Sequence, residues 1–328
     1  MKRKKSLAIT IAVVCIGTLS VGGYIFLSNN GSVGDFINDS YSASKTVEIT
    51  QAPKETETAQ PTVSENEKVQ NTPLVTESVK KKDASTEKKS GTLKNFLENA
   101  MKPVGQTLYI YGGGWNEEDT GAGREAVTIG LSPTWKSFYE SQGADYDSDN
   151  FRYQIEKGLD CSGYIGWVVY NTIEKESGNS GYVYKAEEYA DVYSSMGFGT
   201  KSEAGTFSDY RPGDILSSKT DCHAWISLGQ CSDGSVVLVN SSPPGVRICG
   251  TATPQGNENS EAVKIAEQFM REQFPDWYEK FPDCKKGVNY LTNYDRMRWD
   301  LSGNGVLTDP EGYCELMADE TLTDLFLG

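Results

Sequence analysis

The chain carries a single histidine, His223, and Asp160-Cys161-Ser162-Gly163 opens an apolar stretch about sixty residues before it. A thiol hydrolase needs a sulfur nucleophile and an imidazole that takes its proton and returns it to the leaving group. Only one residue of the 328 can supply that imidazole. Cys161 is the candidate nucleophile. Asp160 suits an N-cap, which places Cys161 in the first helical turn, where the helix dipole and unpaired N–H groups favour a thiolate. The same N–H groups can hold an oxyanion. Ser162 and Gly163 are small and leave room for substrate. The structural alternatives are an inert core cysteine and a core histidine bonded to backbone. Asn240 ends a later strand and is the candidate third residue, an acceptor that would fix the imidazole tautomer; Ser241 is its alternative.

These residues need a helix and a sheet to position them. Cys161, Tyr164, Ile165, Val168, Val169 and Thr172 fall on one helical face. Alternating residues predict strands over 223–228 and 235–240, joined by a turn at Asp233-Gly234, and a further strand at 246–248. Arg211-Pro212-Gly213-Asp214 reads as a turn leading into a short strand. Order begins near Thr92 with a capped helix, and 108–111 reads as a short strand stopped by three glycines. Helices are also expected around 186–195 and 261–274, the latter followed by a Trp- and Tyr-rich tail. A helix carrying the nucleophile followed by antiparallel strands is an α+β pattern.

The chain's net charge of −15 argues against nucleic acid as a partner. Residues 1–5 form a basic flank, and 6–28 are uncharged and contain an apolar run long enough to span a bilayer. The positive flank predicts a cytoplasmic N-terminus and a single-pass cell-membrane anchor, with the rest of the chain extracytoplasmic. A cleaved signal peptide, giving a secreted protein, is the alternative. Residues 29–91 are rich in Thr, Glu, Lys, Ser, Gln and Pro and read as a disordered tether. Such a tether spans on the order of 45 Å r.m.s.. Seven cysteines in an exported setting permit disulfides, and a pairing among Cys222, Cys231 and Cys249 is possible.

The order of the motifs completes a resemblance. Tyr109-Ile110-Tyr111-Gly112-Gly113, Asp160-Cys161-Ser162-Gly163, Arg211-Pro212-Gly213-Asp214, His223-Ala224-Trp225-Ile226-Ser227-Leu228-Gly229 and Asn240-Ser241-Ser242 resemble, in sequence, the motifs of NlpC-type cysteine peptidases. These are papain-like enzymes that cut the peptide stems of bacterial cell wall. The resemblance covers about 92–250. It implies a papain-like domain, with Cys161 as nucleophile, His223 as base and Asn240 as third polar residue. It also implies Tyr109 beside the nucleophile, and Asp160 and Ser162 in a subsite for the substrate amine. Peptidoglycan stem peptides become the expected partner, and the bond usually cut joins γ-D-glutamate to a diamino acid.

The chain departs from the family in two places. The segment between Tyr109 and Cys161 is far longer than the family's, giving an insert at about 114–157 that carries Trp115, Trp135, Phe138, Tyr139 and Tyr146. A lid, a subsite wall and simple packing are all open to it. The C-terminal extension, 251–328, lies outside the family core and is expected to pack on the catalytic domain. Its segment Asp300, Ser302, Asn304, Gly305 and Glu311 has the spacing of a calcium loop. Weak Ser302, and Pro310 and Gly312 beside the Glu, favour a structural turn. No metal and no cofactor is expected. Two other functions share these features. An amidase would cut the sugar–peptide amide with the same chemistry, and a non-catalytic wall-binding module would not use the thiol at all.

Overall fold

A computed structural model describes residues 91–327 of the chain. The expected basic flank, the membrane anchor and all but the last residue of the tether lie outside the described residues. None of the described helices is long and apolar enough to cross a membrane.

A two-residue strand β1 (Gly91–Thr92) leads into helix α1 (Leu93–Met101), capped by Thr92 Oγ1, which accepts from the Asn95 N–H at 3.1 Å. The insert contributes α2 (Pro133–Ser141). Helix α3 (Cys161–Ile173) follows, then α4 (Tyr189–Ser195) and β2 (Gly199–Ser202). Three antiparallel pairings join β3 (Ile215–Ser218), β4 (His223–Gln230), β5 (Val236–Ser242) and β6 (Gly245–Thr251). The remainder holds α5 (Glu261–Gln273), α6 (Pro275–Lys280), β7 (Lys285–Lys286), α7 (Asn289–Thr292), β8 (Asp295–Trp299), β9 (Leu307–Thr308) and α8 (Ala318–Leu327).

The main sheet has seven strands in the order β2-β8-β3-β4-β5-β6-β7, all antiparallel except the β6–β7 pair. The molecule is therefore mixed α+β with a mostly antiparallel sheet. Residues 108–111 make only isolated bridges, Leu108 with Gly245 and Tyr109 with Leu159, so the short strand expected there does not form. The glycines that follow turn the chain away. The helix expected from 186 begins at Tyr189.

Side chains alternate across the sheet. Ala224, Ile226, Val237, Val239, Val246 and Ile248 face a large core shared with α3, while Leu216, Trp225, Leu238 and Cys249 face a smaller one closed by Tyr210, Leu291 and Tyr294. Helix α3 packs on β4, β5 and α1, and every residue except Asn171 is buried. The expected single apolar face is thus a helix enclosed on all sides.

The segment after residue 250 is part of the sheet. Strand β8 lies between β2 and β3, held by a bidentate pair in which Arg298 Nε and Nη2 donate to Asp214 Oδ1 and Oδ2 at 2.8 and 2.7 Å. Asp214 is 2% exposed, so the last residue of the Arg-Pro-Gly-Asp turn clamps this strand. The insert mainly packs. Trp135 meets Trp167 edge-on at 5.7 Å and Tyr139 stacks on Trp277 at 5.2 Å. Burying each such ring contributes about 1.5–3 kcal/mol.

All six described cysteines are free thiols. Cys222 is exposed, and Cys231 and Cys249 belong to different cores, so no pair forms among these three. In the calcium-like segment, Asp300 Oδ1 accepts from the Ser302 N–H at 2.9 Å in a local turn.

Candidate active site

Cys161 is the first residue of α3. Asp160 caps the helix through Oδ1, which accepts from the Gly163 N–H at 2.6 Å and from Ser162 Oγ at 2.7 Å. Its Oδ2 accepts from the Gly112 N–H at 3.1 Å. One carboxylate therefore fixes both the helix start and the glycine loop. The glycines make this approach possible. A Cβ at Gly163 would lie 2.0 Å from the Gly113 carbonyl oxygen, and one at Gly114 would lie 2.5 Å from the Gly163 Cα. Burial raises the Asp160 carboxyl to about 6, against the lowering effect of its hydrogen bonds.

The parallel bridge from Tyr109 to Leu159 brings Tyr109 beside this helix start despite the long insert. Its phenol is pushed up by burial and then by the charges of Cys161 and Asp160. The insert reaches the site as well. Trp115 Nε1 donates to Ser162 Oγ at 2.9 Å, and Tyr146 Oη donates to the Tyr109 carbonyl at 2.6 Å. Tyr111 and Tyr153 stand exposed beyond Tyr109, with the Arg152 guanidinium 3.9 Å over the Tyr111 ring.

The sulfur of Cys161 is buried. Burial and the Asp160 charge push its thiol up, while the backbone N–H groups of Ala224 and Ser162 favour the thiolate. Ala224 is the residue after His223. The His223 ring packs on Tyr290 at 5.8 Å and on Tyr294 at 6.4 Å, and both phenols also feel Cys161. Cys161, His223 and these tyrosines thus share one corner of the fold. Burial, then the charges of Lys286 and Arg247, lowers the imidazole to about 3. Burial therefore disfavours the charged form of both groups.

Asn240 is fully buried and lies on the same sheet face as His223. Trp225 and Leu238 share a core, and His223 and Asn240 each stand two residues from them on the same strands. Ser241 projects the other way, its Oγ donating to the Leu159 carbonyl at 2.7 Å, which leaves it engaged beneath the helix start. His223 Nε2 and Asn240 Nδ2 are both buried without a hydrogen-bond partner. Asn240 Oδ1 accepts from Ser242 Oγ at 2.9 Å, and Ser242 Oγ accepts in turn from Lys286 Nζ at 3.1 Å and Arg247 Nη1 at 3.3 Å.

The structure thus brings Tyr109, Asp160, Cys161 and Ser162 together at the start of α3 and puts His223 and Asn240 on one sheet face, while no hydrogen bond joins Cys161, His223 and Asn240 to one another among the described residues. It adds Tyr290, Tyr294, Lys286 and Arg247, which sequence reasoning missed. Three of the four come from the extension, where β7 is too short to carry a strand signal. A cavity of about 790 Å³ lies elsewhere, between the insert and α6, where Lys136, Tyr139, Phe274 and Trp277 line it.

No protein family, curated protein or solved structure matches this chain in comparison.

Proposed function

We propose that this protein is a papain-like cysteine endopeptidase that hydrolyses peptide stems of bacterial peptidoglycan, at the bond between γ-D-glutamate and a diamino acid. The observation that carries the reading is the corner itself. A cysteine begins a buried helix, its sulfur lies against the N–H that follows the chain's single histidine, and that histidine shares a sheet face with Asn240. Their unpartnered His223 Nε2 and Asn240 Nδ2 are what a resting hydrolase site would leave for its substrate and its reorganisation. The choice of stem peptides rests on the motif resemblance, from Tyr109 through Ser242. An N-terminal anchor would hold the enzyme at the outer face of the cell membrane.

In this reading the thiol attacks the amide carbonyl carbon as its proton passes to His223. The oxyanion forms near the first N–H groups of α3, where Ser162 N–H already faces the sulfur. The imidazolium gives its proton to the leaving amine, and a thioester remains. Water deprotonated by His223 then attacks the thioester and frees Cys161. Tyr109 and Asp160 line the acyl side, and Ser162 is held there by Asp160 and Trp115.

Full-length protein and its Cys161→Ala form, incubated with purified muropeptides and read by mass spectrometry, test the proposal. A cut between D-glutamate and the diamino acid that the substitution abolishes supports it. Release of whole stems from glycan would make the protein an amidase. No cleavage of any stem by folded protein would remove the peptidase reading.

A further inference from the structure

Two cations, Lys286 and Arg247, act on His223 without an ion-pair partner of their own among the described residues. Lys286 Nζ donates only to Ser242 Oγ, at 3.1 Å, and stands 5.4 Å over the Tyr290 ring. Arg247 is 3% exposed. Its Nη1 donates to the Ser242 carbonyl at 2.7 Å and to the Gly245 carbonyl at 3.2 Å, and its Nε donates to the Asp283 carbonyl at 3.0 Å. Nη2 makes no hydrogen bond among the described residues. The Asp283 carboxylate acts on Lys286 through space without forming an ion pair, its Oδ1 accepting from the Lys285 N–H at 3.0 Å.

Charges withdrawn from water are ordinarily paired, because burial removes the hydration that stabilises them. These two instead converge on one hydroxyl. Ser242, Lys286 and His223 keep partial exposure, while Asn240 and Arg247 are buried, so the cluster opens to solvent at its Lys286 end. Lys286 is tied to His223 through Tyr290, whose ring packs on both. In the proposed reaction His223 protonates the leaving amine, so the His223 side receives the amino acid that departs.

We infer that Lys286 and Arg247, with Ser242 between them, form a subsite for a free carboxylate on the amino acid whose amine leaves. This rests on the proposed function and deepens it. The chain would cut before a diamino acid that carries a side-chain carboxylate in preference to one whose carboxylate is amidated. Lys286 supplies a half-buried charge at the more open end, and Arg247 a fixed donor behind it. Neither forms or breaks a covalent bond.

Calorimetry on the full-length Cys161→Ala protein tests this without turnover. The probes are L-alanyl-γ-D-glutamyl-diaminopimelate and the same peptide with its side-chain carboxylate amidated. The free carboxylate should bind about tenfold tighter or more, the worth of a hydrogen bond to a charged group. Lys286→Met in that background should erase the difference by weakening the carboxylate peptide alone. Equal binding of the two peptides, binding of neither, or an equal loss for both on Lys286→Met would overturn the subsite. Tight, selective binding by the variant alongside failure of the parent protein to cleave would sink the proposed reaction and leave the subsite standing.

Discussion

The backbone N–H of Ala224 faces the sulfur of Cys161, so the start of strand β4 meets the start of helix α3 one residue from the imidazole. The approach involves the Ala224 backbone and not the imidazole, and α3 packs on β4 through buried residues of both elements. His223→Ala should therefore keep the fold while lowering kcat/KM on stem peptides about 10²- to 10⁴-fold. Circular dichroism alongside product assays checks both halves. A variant with full activity would remove His223 from the mechanism.

Acidification should expose the cost of burying His223. Between pH 6.5 and about 3 the unfolded chain binds a proton at this residue that the folded chain does not, so stability present above pH 6.5 is lost as the pH falls. Asp160 works in the opposite direction. Its folded carboxyl titrates near 6 against 3.8 unfolded, so its contribution is complete below 3.8 and is lost as pH rises through 6. The difference in unfolding free energy between His223→Gln and the parent isolates the histidine. It should shift in favour of the variant by about 1 kcal/mol per pH unit below pH 6.5. A pH-independent difference would show that the imidazole is not held neutral.

Alkylation of the native protein at neutral pH should follow exposure. Cys222 is exposed, whereas Cys161 is 7% exposed and its thiol is pushed up by burial. Iodoacetamide followed by peptide mapping should label Cys222 well before Cys161. Faster labelling of Cys161 would mean that the resting site already holds a thiolate.

Trp115→Phe removes the donor that binds the insert to Ser162 and leaves the ring. The loss should be about 0.5–1.5 kcal/mol of stability, read by denaturant unfolding. Activity should fall with it, because Ser162 N–H faces the sulfur.

Asp160→Asn retains an N-cap acceptor for Gly163 but gives up one of the carboxylate's two oxygens. Helix α3 should persist, while the Gly112 amide loses its acceptor. Faster hydrogen exchange at Gly112, with unchanged protection inside α3, is the expected pattern. Loss of protection throughout α3 would assign the whole helix start to this carboxylate.

Local signals told most of the candidate site. A cap before Cys161, alternation after His223 and a polar end to β5 each depend on a few adjacent residues, and each element formed close to its expected bounds. Pairings between distant segments left no such trace. Strand β8 has five residues and reads as polar because of Arg296 and Arg298, which can enter the sheet only because Asp209 and Asp214, far away in the chain, neutralise them. Lys286 lies on a two-residue strand whose partner is parallel, and nothing in its neighbours marks it. Tyr109 runs the other way. Its long separation from Cys161 in sequence hides their closeness, and a bridge to Leu159 sets Tyr109 beside the helix start while the insert between them packs into the core.

The place of β8 between β2 and β3 has a consequence for how the molecule is made. The strand's residues are synthesised roughly eighty positions after those of β3, and Tyr290 and Tyr294, which wall His223, come just before it. A nascent chain that already contains Cys161, His223 and Asn240 therefore still has a gap in its sheet and an uncovered histidine. The corner proposed for hydrolysis is finished only once β8 has emerged, so a nascent chain that stops short of Trp299 would carry the proposed chemistry in its sequence without the means to perform it.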